Sequence, residues 1–139
     1  MTDDGLYLLD TNAISHIMRD GQGAVARRYA ARLKSAAPCR MTTSVVVECE
    51  LRFGLERRPS KRLQAAFDIQ MQQLPVLPLD ENVPPRYASI RASLERAGTP
   101  IDANDLLIAA HALALGAILV SADAVFSRVP GLQVENWMA

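Results

Sequence analysis

Asp10, Asp105 and Asp123, with one of the pair Glu48 and Glu50, are the residues from which chemistry could be built in this chain of 139 residues. Each acid falls where a local element starts or stops. Asp10 closes the apolar run Leu6-Tyr7-Leu8-Leu9, and Asp123 follows Val120-Ser121-Ala122. Asp105 lies in the first turn of an apolar stretch reaching Leu115, and Glu48 and Glu50 lie early in another helical stretch. Taken singly, an acid in such a place is usually a cap or turn residue, because its carboxylate bonds nearby backbone N–H groups. Four acids reaching one crevice are harder to dismiss, since carboxylates at close range repel unless a cation compensates them. Their oxygens suit a hard ion, Mg²⁺ or Mn²⁺, which uses few carboxylates and keeps several waters. Such an ion supplies a nucleophilic water and offsets charge on phosphate oxygens, so the expected chemistry is metal-assisted phosphodiester cleavage.

Competing chemistries find little support. His16 and His111 are isolated in the sequence, so a zinc site would lack partners. His111 is six residues from Asp105, which puts it on another face of the same helix. No GxxxxGK[ST] loop, GxGxxG fingerprint or G-x-S-x-G elbow is present. An aspartyl-phosphate phosphatase would carry a second Asp two residues after the first, where this chain has Asn12.

Around these acids, short apolar strands alternate with helical stretches. Leu6–Leu9 reads as a buried strand leading into a turn at Asp10-Thr11-Asn12. Ala24 to Ala37 has good helix propensity and is closed by Pro38. A strand near Arg40–Thr42 meets Ser44, an N-cap for a helix running to about Arg58, and Ser60 caps another reaching Gln73. Strands are expected at 76–79, 117–120 and 133–135, and helices start at Pro84-Pro85 and at Asp102. Gly98 and Gly116 end those two helices. This alternation indicates an α/β fold with a central, mainly parallel sheet and helices on both faces. Ligands of such sheets bind beyond the C-terminal strand ends, where Asp10 and Asp123 fall.

Composition bounds the rest. The length suits one domain spanning residues 1–139, and half of the residues are hydrophobic, enough for a core without staples. No apolar run approaches membrane-spanning length, and the acidic start Met1–Gly5 lacks the features of a signal peptide. The two cysteines, Cys39 and Cys49, suggest no disulfide framework, so a reduced cytoplasm is the expected setting. Net charge is zero, yet residues 19–62 hold eleven Arg or Lys against four acids. That basic stretch could offer phosphates a landing surface beside an anionic site, or could be solvated helix faces.

The ordered set of motifs resembles a known family. Leu8-Leu9-Asp10-Thr11-Asn12, Thr43-Ser44 to Glu50-Leu51-Arg52-Phe53-Gly54, and Asn104-Asp105-Leu106-Leu107-Ile108-Ala109-Ala110 are similar to the acidic motifs of PIN-domain proteins. The ending, from Val120-Ser121-Ala122-Asp123 to Asn136-Trp137, resembles the C-terminus of VapC-type toxins. The resemblance implies a PIN-like fold, Mg²⁺-dependent endoribonuclease activity with Mn²⁺ able to substitute, and structured RNA such as tRNA as a target. It implies a metal site of Asp10, Glu50, Asp105 and Asp123, a VapB-like antitoxin and a homodimer. It also selects Glu50 over Glu48, a choice the apolar pattern leaves open. RNA rests on the resemblance, because attack by metal-bound water ignores the 2′-OH and would also cut DNA. The rival readings are a non-catalytic PIN-like binding module and a metal-dependent DNA nuclease or phosphatase of similar topology.

Overall fold

The structure is a computed structural model that describes residues 5–35 and 40–138. Five short strands, β1 Leu6–Leu9, β2 Arg40–Ser44, β3 Val76–Leu77, β4 Ile118–Val120 and β5 Val134–Glu135, form a sheet in the order β3-β2-β1-β4-β5. All four neighbouring pairs are parallel, and Tyr7 lies level with Met41 on one side and Ile118 on the other. The helices are α1 Thr11–Arg19, α2 Ala24–Leu33, α3 Val45–Arg57, α4 Lys61–Gln73, α5 Val83–Arg96 and α6 Ala103–Leu115. A 3₁₀ turn follows at Ala124–Arg128.

Parallel neighbours require crossovers, and the rule for such connections is a right-handed path. From β1 through β2 to β3 the chain steps outward in one direction, which lays α1–α4 over one face. It then returns past β1 to β4, which carries α5 and α6 to the other. Most contacts follow this division, with α1 touching α2, α3 and α4 and α5 lying against α6, while α3 also meets α6. Between the layers Tyr7, Leu8 and Leu9 are almost fully buried, as expected for a strand covered on both faces. Trp137 closes the β5 side, its ring centroid 5.6 Å from that of Tyr7 and its indole N–H donating to Glu135 Oε1 at 2.9 Å. Among the described residues no helix is long and apolar enough to cross a membrane.

The expected serine caps are present. Ser44 Oγ accepts from the Val46 N–H at 3.1 Å, and Ser60 Oγ accepts from the Leu63 N–H at 3.2 Å. Gly98 and Gly116 take left-handed φ values of 74° and 66° past the ends of α5 and α6, where a side chain would be strained. Three expectations need correction. Asp10-Thr11-Asn12 is no simple turn: Asp10 is extended at an N-cap position and α1 begins at once. Ala13, Ile14, Ile17 and Met18 supply the buried stripe that makes this segment a helix. The third strand is Val76–Leu77 only, because just these residues pair with Thr43 and Ser44. Helix α2 stops at Leu33, capped by Lys34, short of Ala37. The expected closure at Pro38, with Ala36, Ala37 and Cys39, lies outside the described residues.

Candidate active site

Strands β1 and β4 are neighbours, and the chain leaves β1 toward β2 but leaves β4 toward β5, in opposite directions. The crevice beyond the carboxyl ends of β1 and β4 is therefore the switch point at which sheets of this kind bind ligands. Asp10, Glu50, Asp105 and Asp123 all line one opening there, although they are far apart in sequence. Asp10 is the residue after β1, and its N–H donates to the Val120 carbonyl of β4 at 2.9 Å. Asp123 stands three residues beyond β4, Asp105 in the first turn of α6, and Glu50 on α3.

Asp10 is held most firmly. It is 4% exposed, and its Oδ2 accepts from Ser121 Oγ at 2.8 Å and from Asn12 Nδ2 at 3.1 Å. The Asn12 amide also donates to Ser121 Oγ at 3.0 Å, and its oxygen accepts from the Ala122 N–H at 3.1 Å. These bonds lock the end of β1 to the loop after β4. Burial nonetheless pushes the Asp10 carboxyl above its ordinary value; the Ser121 and Thr11 hydrogen bonds oppose this, and the Glu50 and Asp123 charges add to it. The Asp105 carboxyl is pushed up to about 6, first by burial and then by Asp10, Asp123, Glu50 and Asp102. Thr11 Oγ1 donates to Glu50 Oε1. Asp123 has a structural task as well, its Oδ1 accepting from the Val125 N–H at 3.0 Å to cap the 3₁₀ turn.

Glu48 is elsewhere. Residues two apart on a helix point about 200° apart, and Glu48 accepts from Arg52 Nε at 2.7 Å, with Arg52 lying over the Phe67 ring. His111 is also outside the opening: it is buried, with Nδ1 2.8 Å from Ser44 Oγ. Burial lowers its pKa, opposed by Asp80 and the Pro78 backbone, so the neutral ring is favoured.

The chemistry of this donor set fits a hard divalent ion. Mutual repulsion and burial raise the cost of keeping the carboxylates ionised, and a cation relieves both. Among the described residues no three His, Cys, Asp or Glu side chains close into a metal cage. Acid oxygens of this kind suit a hard divalent ion that retains waters. Beyond the four acids, sequence reasoning assigned no role to Thr11, Asn12, Ser121, Phe53 or Arg57, which surround or support them. Short polar residues directly flanking Asp10 and Asp123 were the available signal for the first three.

A PIN domain model matches residues 7–132. Ribonuclease VapC2 of Rickettsia felis is 31% identical over 134 residues, covering 95% of this chain and 98% of that relative. The tRNA(fMet)-specific endonuclease VapC of Salmonella typhimurium is 30% identical, covering 94% and 97% of the two chains. The fold is similar to that in the crystal structure of VapBC2 from Rickettsia felis bound to a promoter DNA fragment, with a TM-score of 0.86 and 29% identity over 95% of this chain and 98% of that one. It is also similar to DNA-bound VapBC from Salmonella typhimurium, with a TM-score of 0.83 and 28% identity over 99% of both chains. With the family match spanning most of its length and the acids gathered at the sheet's switch point, the chain belongs to the PIN-domain family, among the VapC ribonucleases.

Proposed function

We propose that residues 1–139 act as one nuclease unit, an endoribonuclease toxin of the cytoplasm that hydrolyses RNA and is restrained by a VapB-like antitoxin. One observation carries this reading: four carboxylates from distant segments line a single opening, where burial and the neighbouring acids make Asp10 and Asp105 hold their protons more tightly. The relatives named as ribonucleases and the solved VapBC assemblies supply the substrate class and the partner. Structured RNA such as tRNA is the proposed target.

Asp10 and Asp105 would be the principal ligands of Mg²⁺, with Glu50 and Asp123 completing the set and Mn²⁺ able to substitute. When bound, the ion supplies a nucleophilic water at neutral pH and offsets charge on the phosphate. The chain's own part is preorganisation. Ser121 and Asn12 fix Asp10, and Thr11 fixes Glu50, so the carboxylates need not reorganise when an anionic strand arrives. The same negative opening would attract an Arg or Lys of the antitoxin, which can form charge-assisted hydrogen bonds in place of the metal. A homodimer would present two such openings to a two-fold partner.

The reading is tested by offering labelled RNA, single-stranded DNA and a small phosphomonoester, each with Mg²⁺ and with EDTA. RNA alone is expected to be cut, only with Mg²⁺, leaving 5′-phosphate and 3′-hydroxyl ends. Cleavage in EDTA, or a 2′,3′-cyclic phosphate as the main early product, overturns it.

A further inference from the structure

Glu50, Phe53, Gly54 and Arg57 recur at the spacing of a single helix stripe, and all four line the carboxylate opening. Two members have no explanation in the fold. Phe53 is 62% exposed, with the Arg57 guanidinium 5.5 Å from its ring centroid, so its ring adds little to the core. Gly54 sits inside α3, where glycine is less stable than alanine, yet a Cβ there would meet nothing within 4 Å. Its φ is not positive either, so neither packing nor backbone conformation calls for glycine. A bare backbone there leaves room for something outside the chain to lie close.

The stripe also joins two surfaces of opposite charge. Glu50, Gly54 and Arg57 line a second groove, shared with Arg19 and Arg58. None of these three arginines forms an ion pair among the described residues. The anionic opening thus runs directly into a track of uncompensated cations.

We propose that this stripe seats an unpaired nucleotide next to the scissile phosphate, its base stacked on Phe53 across the bare Gly54 and the strand's phosphates following Arg57, Arg19 and Arg58. The inference rests on the ribonuclease reading and assigns to it the residues that would contact the strand. A base inside a duplex has both faces covered, whereas a base in a loop or single strand can stack on an aromatic ring. RNA suits the surface better than a protein does. Arg52, Glu56 and Arg57 around Phe53 are all exposed, so α3 presents one ring among charges. A protein interface normally has a depleted-charge, apolar centre within about 800 Å² per partner.

The test uses the full chain, free of antitoxin, carrying Asp105→Asn so that RNA survives. Binding of a short fluorescein-labelled single-stranded RNA, and of its duplex, is followed by anisotropy over a range of salt. The single strand is expected to bind more tightly. Phe53→Ala should weaken that binding about 5- to 100-fold, and Phe53→Tyr should restore it. Arg57→Ala should flatten the log–log salt dependence by about 0.7, one phosphate contact on a single strand. Gly54→Ala should raise Tm while lowering affinity, and Ile69→Ala, an exposed residue of α4 outside both grooves, should change neither arm. If the Asp105→Asn parent binds no RNA, the ribonuclease reading fails and this inference with it. If the parent binds RNA and the stripe variants bind equally well, only this inference fails. Conversion of a dimer to a monomer by Phe53→Ala in sedimentation velocity also overturns it, assigning the ring to a second copy of the chain.

Discussion

Two buried polar groups in this protein meet the same physical problem and resolve it in opposite ways. His111, in the middle of α6, is desolvated and stays neutral; its ring bonds Ser44 Oγ at 2.8 Å, and no cation or anion is needed. Asp10, at the end of β1, is desolvated too, but beside Glu50, Asp105 and Asp123. Burial and the charges of Glu50 and Asp123 oppose its ionisation, while its hydrogen bonds from Ser121 and the Thr11 backbone favour it. The first arrangement is complete within the chain. In the proposed reading the second is completed by a divalent cation, and that difference would mark one as structure and the other as a site.

The largest effect should come from removing a charge on the incomplete side. Asp10→Asn or Asp105→Asn should lower RNA cleavage on the order of a hundredfold or more, because several kcal/mol of transition-state stabilisation go with a metal ligand. Circular dichroism should show both variants folded. A folded variant cutting at near wild-type rate would dissolve the contrast.

On the complete side, Ser44→Ala removes both the cap of α3 and the partner of His111. The expected loss is about 2 to 3 kcal/mol, from a cap of about 1 kcal/mol and a buried group left unpaired. Urea denaturation checks it, and a loss well below 1 kcal/mol would mean that the pair holds little together.

Glu48 and Glu50 give a smaller and sharper comparison on one helix. Glu50→Gln should slow cleavage by about tenfold or more, as a conservative loss of one anionic oxygen in the opening. Glu48→Gln should leave the rate unchanged, since it breaks only an exposed pair with Arg52. The reverse result in a cleavage assay would place the wrong face of α3 at the site.

The smallest effect concerns pH. In EDTA the folded chain holds the Asp105 proton more tightly than the unfolded chain, with a pKa raised from 3.8 to about 6. Its contribution to stability is therefore greatest at acid pH and is lost as pH rises through that window. His111 has the opposite sign: its lowered pKa costs stability as pH falls below 6.5. Comparing parent with Asp105→Asn cancels the histidine. The Tm of the Asn variant should gain on the parent as pH rises, and Mg²⁺ should close the gap by stabilising the parent. A gap independent of pH would show that neither burial nor the neighbouring acids raise the Asp105 carboxyl.

What local sequence determined was the position of each acid along its own element. An apolar run ended by Asp10, an N-terminal turn holding Asp105 and a strand followed by Asp123 are short-range patterns, set by burial, capping and helix propensity. They were legible because the causes lie within a few residues. Helix α1 was less legible, since the polar triplet Asp10-Thr11-Asn12 masks the buried stripe beginning at Ala13. Tertiary structure alone decided the rest. That β1 would lie between β2 and β4 depends on pairing segments more than a hundred residues apart. Only that pairing brings Ser121 onto Asp10 and Asn12 onto Ala122, while the contact of α1 with α3 brings Thr11 onto Glu50. The choice of Glu50 over Glu48 follows from how α3 is rotated against its neighbours, because two residues a short step apart on a helix face nearly opposite ways. A chain can write its acids into local motifs, but their shared field arises where the sheet brings distant strand ends together.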